Sequence, residues 1–363
     1  MTDEKSMGLG PNGAPDEGDL EAALAMAELR PSDDARDMIS SELAHVLSRE
    51  SDVALVLSGD MSRALAELPF ADGVPEAAWC VSDATALAQI HQLFRLGGAA
   101  GAVTNTAGCT DVELAAAGLA HCEDAAVEGA TRAALSCSPR YVLGRVRGFA
   151  AEAGAAVDAA TDVRAALARE ASRLEEAGVH GFVAEGGRAK DVAVALRAVR
   201  DVSGRPVVAT LPVAGSDAER MSAPEGDAEV ESRLRAALAE LVDAGATALG
   251  AEVGLSHLAE VLPRLSLLSE GEGLALCVTL VADGSADADA DADADAAPVR
   301  TGSRRARAMD LARARELEAA AAALTAAGVR TVSLGRGFAP GDTARLVQSL
   351  RPHFATLGWR FVA

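Results

Sequence analysis

Short runs of β-branched and aliphatic residues alternate along the chain with longer Ala-, Leu-, Arg- and Glu-rich stretches whose apolar positions recur at helical spacing. Eight such runs occur: Val53–Leu57, Gly101–Thr104, Tyr141–Gly144, Gly181–Ala184, Pro206–Thr210, Ala246–Gly250, Leu274–Leu280 and Arg330–Leu334. Each run with the helix-like stretch after it reads as one βα unit of a parallel sheet. Four runs are announced by the same step, Gly97-Gly98, Ala177-Gly178, Ala244-Gly245 and Ala327-Gly328, where a left-handed glycine stops a helix and turns the chain back. Eight units over roughly 310 residues match an α/β fold of the (β/α)8 TIM-barrel type, ordinarily about 250 residues plus insertions, with a doubly wound open sheet as the rival.

The Gly-, Pro- and acid-rich residues 1–18 predict a flexible tail, and 19–50 a helical segment broken at Pro31. Residues 51–363 then form the barrel. An alternating Asp-Ala tract, Ala286–Ala297, predicts a disordered insertion over 285–299 after the seventh strand, and it lacks the turn-forming glycine of a calcium loop.

Half the residues are apolar but only 3 % are aromatic, so the core must be built from Val, Leu and Ala. A formal charge of −21 argues against nucleic acid or an anionic membrane surface as partner. No apolar run reaches the roughly 20 residues of a membrane span, and the start Met1-Thr2-Asp3-Glu4-Lys5 lacks the order of a secretion signal, so a cytoplasmic protein is expected. Cys80, Cys109, Cys122, Cys137 and Cys277 are odd in number and contain no CxxC pair, which fits reduced, mostly buried thiols.

In a barrel of this kind, side chains just past each strand point into a shared mouth. Those positions are Ser58, Asp60, Asn105, Thr106, Arg145, Glu185, Leu211, Glu252, Val253, Ala282, Asp283, Gly335 and Arg336. Together they define a mouth that could hold a small zwitterion.

The stretch Gly98 to Thr106, with Thr104-Asn105-Thr106 at its end, continuing through Gly118-Leu119 to Tyr141–Gly144, resembles the second and third βα units of the homocysteine S-methyltransferase family. The likeness continues in Phe182–Gly186, in Asp243–Gly254 and in Val332–Pro340. It implies that Glu185 holds the ammonium group of a small amino-acid or thiol substrate, that Asn105 donates hydrogen bonds at the mouth, and that Asp60 lies in the same site. Ser58 stands where the family has an aspartate. The family also uses zinc held by three cysteines, which by register fall on Val253, Gly335 and Arg336 here, so the expected zinc lacks its ligands. Without a metal, a thiol of pKa about 8.5 is only about 3 % thiolate at pH 7, roughly a thirtyfold loss of the nucleophile.

Cys109, Cys277 and His257 are possible relocated ligands by residue type alone. Arg336, in a Gly335-Arg336-Gly337 turn ahead of a helix that Asp342 could cap, suits an anion or pairs with Glu252 across the mouth. Methyl transfer to a small thiol or amino acid, without zinc and from a donor the residues do not name, stands beside a non-catalytic ligand-binding or regulatory barrel. A third reading uses Glu185 and Glu252 as acid and base. A corrinoid donor would arrive on a separate protein.

Overall fold

A computed structural model describes residues 32–68, 71, 73–149, 159–213, 228–282 and 304–362. The expected tail and the Asp-Ala insertion lie outside the described residues, as does Asp283.

After helix α1 (Asp33–Val46) the chain runs β1 (Val53–Val56), α2 (Ser62–Ala66), α3 (Glu76–Ser82), α4 (Ala84–Leu96), β2 (Gly101–Val103), α5 (Asp111–Ala116), α6 (Glu123–Ser136) and β3 (Tyr141–Gly148). It continues through α7 (Ala159–Ala177), β4 (Gly181–Gly186), α8 (Ala189–Val202), β5 (Val207–Pro212), α9 (Ala228–Asp243) and β6 (Ala248–Gly254). A short 3-10 turn, Leu255–His257, leads to α10 (Leu258–Gly271), β7 (Leu276–Val281), α11 (Arg304–Ala326), β8 (Thr331–Leu334), α12 (Pro340–Thr356) and β9 (Arg360–Val362).

All eight expected runs are strands, paired in parallel in the order β2-β3-β4-β5-β6-β7-β8-β1. The ring closes between β1 and β2 by a bridge from Leu57 to Gly101 and by hydrogen bonds from Ser58 N–H to Gly101 O (2.7 Å) and from Ala100 N–H to Val56 O (2.9 Å). Ser58 adds a side-chain clamp: its Oγ accepts Val103 N–H at 2.8 Å. The helix stops behave as their glycines require. Gly98, Gly178, Gly245 and Gly328 have φ of 97°, 104°, 95° and 74°. In each case the next N–H reaches back five residues, as in Ala99 to Phe94 O and Val179 to Leu174 O, both satisfying a carbonyl the helix leaves open.

β9 was not expected. It pairs with β1 from Val53↔Arg360 to Leu55↔Val362, covering the stretch of β1 that precedes the level at which β2 begins. A staggered barrel would otherwise expose that backbone edge.

Apolar side chains on alternate strand positions fall into two sets. One faces the helices, including Val142, Val146, Leu249, Val253, Val278 and Val332. The other fills the barrel with Leu55, Leu57, Tyr141, Leu143, Val183 and Val208, and it is sealed at the N-terminal end by Leu43, Val46 and Leu47 from α1 and the residue after it. Tyr141 Oη donates to Glu42 Oε1 of α1 at 2.6 Å, which fixes that plug. Among the described residues the plug closes the N-terminal end of the barrel and leaves its C-terminal end open.

No helix among the described residues is long and apolar enough to cross a membrane.

Candidate functional site

A cavity of about 1190 Å3 opens at the C-terminal ends of the strands. Asp60, Glu185 and Arg336 line it, together with Arg145, Arg147, Glu76, Glu113, Glu252 and His257.

Two strands run further than their apolar runs suggest, and this places most of the charge. β3 continues to Gly148, where it pairs with Gly186, so Arg145 and Arg147 sit inside the strand rather than beyond it. β6 continues to Gly254, so Glu252 faces the cavity while Val253, fully buried, faces the helices.

Arg145 is the centre of the arrangement. Its Nη1 lies 3.5 Å from Asp60 Oδ2 and its Nε 3.6 Å from Glu185 Oε1, and Nε has no hydrogen-bond partner. Its backbone is pinned by β2's Thr-Asn-Thr segment. Thr104 Oγ1 accepts Arg145 N–H at 3.0 Å, Thr106 Oγ1 donates to Arg145 O at 2.5 Å, and the two hydroxyls are 2.9 Å apart. Burial disfavours the guanidinium charge, but Glu185, Asp60, Glu76 and Glu252 outweigh that and raise its pKa above the ordinary arginine value. Asp60 is held in turn by Ser62, whose N–H donates to Oδ1 at 2.9 Å.

Glu252 stands 3.9 Å from Arg336 Nη2. Burial, and then the neighbouring Glu185 carboxylate, raise its pKa above the usual glutamate value despite Arg336 and Arg145. Glu76 is raised as well, mainly by burial.

Asn105 is placed differently from the expectation that it donates at the mouth. It is buried behind β2, with its backbone oxygen accepting Cys80 Sγ at 3.0 Å and its Nδ2 directed at the same sulfur at 3.9 Å. β2 ends at Val103, so strand alternation no longer governs which way residue 105 points. Asp342 caps α12 as expected, from inside the first turn of the helix, where its Oδ2 accepts Ala339 N–H at 3.0 Å.

The positions that the resemblance assigns to zinc do not fit the metal. Val253 is a core side chain, Gly335 offers no donor atom, and Arg336 is a cation. A Cβ at residue 335 would lie 3.0 Å from Thr279 Cγ2 and 3.1 Å from Val281 Cγ2, so even a restored cysteine would be crowded. Cys277 lies at the cavity floor with its thiol pushed up to about 12 by burial, and Cys109 sits behind β2. Among the described residues no group of three His, Cys, Asp or Glu side chains is arranged to hold a metal ion.

Two histidines have structural surroundings. His180 accepts Val142 N–H through Nδ1 at 2.9 Å, and burial pushes its pKa down to about 4, leaving the ring neutral at pH 7. His91 is buried in α4 with neither ring nitrogen partnered, and burial pushes it down to about 3.

Glu76, Glu113 and Arg147 are charged cavity residues absent from the expected mouth, and of these Arg147 was within reach of the strand pattern. The alternation Arg145-Val146-Arg147, polar-apolar-polar after an apolar run, was the signal for it, because period-two patterning marks a strand that continues.

No family model and no curated protein matches the chain. Solved structures do. The oxidised form of the homocysteine methyltransferase MmuM from Escherichia coli superposes with a TM-score of 0.60 at 18 % identity, covering 84 % of this chain and 99 % of that one. Its metallated form gives 0.58 at 18 % identity over 82 % and 96 %, and its apo form 0.54 at 17 % identity over 84 % and 99 %. At such identities the likeness is one of fold: the chain is a (β/α)8 barrel similar in architecture to a homocysteine methyltransferase, with no thiolate at the positions the resemblance assigns to zinc.

Proposed function

We propose that this barrel is a methyltransferase-type protein that holds a small amino acid or thiol in its mouth cavity through charged side chains, without a zinc-thiolate site. The observation that carries this reading is the convergence of Asp60, Arg145, Glu185, Glu252 and Arg336 on one cavity at the C-terminal strand ends.

Glu185, with Asp60 beside it, receives the substrate ammonium group, and Arg336 receives its carboxylate. Glu252 acts as the base. Its raised pKa makes it a stronger acceptor than an ordinary carboxylate, so it takes the S–H proton as the sulfur lone pair forms the new S–CH3 bond. The bond between the methyl group and its donor breaks, and its electron pair leaves with the donor.

The test is product analysis by mass spectrometry, using chelator-treated protein, homocysteine and a panel of methyl donors. The expected result is turnover that rises with pH as Glu252 ionises and falls roughly a hundredfold or more in Glu252→Gln. The thiolate positions occupied by Val253, Gly335 and Arg336 favour a second reading, a non-catalytic ligand-binding barrel. Homocysteine binding with no turnover from any donor would select it.

A further inference from the structure

β3 projects two guanidiniums into the cavity. Arg145 and Arg147 are two residues apart on one strand and so share its inward face, while Val146 between them is fully buried against the helices. Along the strand their backbones are separated by roughly 6.6 Å, within the reach of two arginine side chains toward one carboxylate.

Neither guanidinium has spent its donors. Arg145 meets Asp60 and Glu185 only at 3.5 and 3.6 Å, and its Nε is buried without an acceptor. Arg147 lines the same cavity, is exposed to it, and makes no ion pair or side-chain hydrogen bond among the described residues. Guanidinium N–H groups form a planar fork that matches a carboxylate two bonds at a time.

The fork is also held in place. The Thr104 and Thr106 hydroxyls clamp the N–H and C=O of Arg145, and β3 is paired with β4 up to Gly148↔Gly186, one residue past Arg147. The cavity, at about 1190 Å3, exceeds the roughly 300–1,000 Å3 of ordinary ligand pockets and leaves room beyond a simple amino acid.

We propose that Arg145 and Arg147 form a carboxylate-binding fork for a second acidic group of the ligand, so that the cavity selects dicarboxylic over monocarboxylic small molecules. This rests on the reading of the mouth as an amino-acid site. A planar monoanion is favoured over a phosphate dianion because Asp60, Glu76, Glu113 and Glu185 line the same cavity and repel the higher charge more strongly.

Calorimetric titration of the full chain with L-glutamate, L-glutamine, glutarate and inorganic phosphate tests the fork. L-Glutamate is expected to bind about tenfold or more tightly than L-glutamine, the factor a charge-assisted hydrogen bond supplies. The ratio should collapse to about one in Arg147→Gln and take an intermediate value in Arg147→Lys, which keeps the charge but not the fork. Glutarate binding that depends on Arg147, with neither amino acid bound, would keep the fork and overturn the amino-acid reading. Equal affinity for glutamate and glutamine, a ratio unchanged in Arg147→Gln, phosphate binding more tightly than glutarate, or no binding by any of the four would overturn the fork.

Discussion

Glu170, on α7, is 1 % exposed, and its Oε1 has no hydrogen-bond partner. Burial, and then the charge of Glu113, push its carboxyl well above the ordinary glutamate value. A carboxyl raised in the folded state binds its proton more tightly there than in the unfolded chain, so its contribution to stability is greatest below the unfolded pKa and is lost as pH rises through the folded one. Glu170→Gln removes that dependence. Thermal unfolding should show the variant gaining on the parent as pH rises from 5 to 8. An equal difference at the two values would contradict this account of Glu170. At the same scale, Asp60, Glu185 and Arg336 were legible because they follow recognisable apolar runs. Asn105 was legible as a residue near the mouth but not as one turned toward Cys80. Its direction is set by the β2–α5 connection, for which neither strand nor helix periodicity gives a rule.

Strand length decides where the charges of the mouth stand. The apolar run of β3 ends at Gly144, but the strand pairs on through Gly148, because Val146 still finds core on the helix side. Gly148 permits this by close approach: a Cβ there would lie 2.0 Å from Asp191 O at the start of α8. Gly148→Ala must therefore move α8 or release the end of β3. Urea unfolding should show a loss of about 1–3 kcal/mol, and an unchanged midpoint would mean that β3 does not need this contact. Glu252 follows the same logic on β6, where four residues of added strand, Ala251 to Gly254, turn it inward and turn Val253 outward. The existence of these elements was readable from apolar runs and their glycine stops, whereas their C-terminal extent depended on neighbours that pair only in three dimensions.

For the whole molecule, the eightfold repeat of strand and helix was readable because each unit carries its own pattern and four carry the same helix stop. β9 was not, since Arg360-Phe361-Val362 is short and has a partner only once β1 is part of a staggered ring. The same ring, plugged below by α1, leaves one end for ligands and gathers there arginines and carboxylates where the resemblance calls for a metal. The central claim is that side-chain charge, not zinc, holds the substrate at this end. Calorimetric titration of homocysteine into the protein before and after exhaustive chelation, and into Glu185→Gln, tests it most directly. The account predicts the same affinity before and after chelation and a loss of about tenfold or more in Glu185→Gln. Binding abolished by chelation and restored by added zinc, or left untouched by Glu185→Gln, would contradict it.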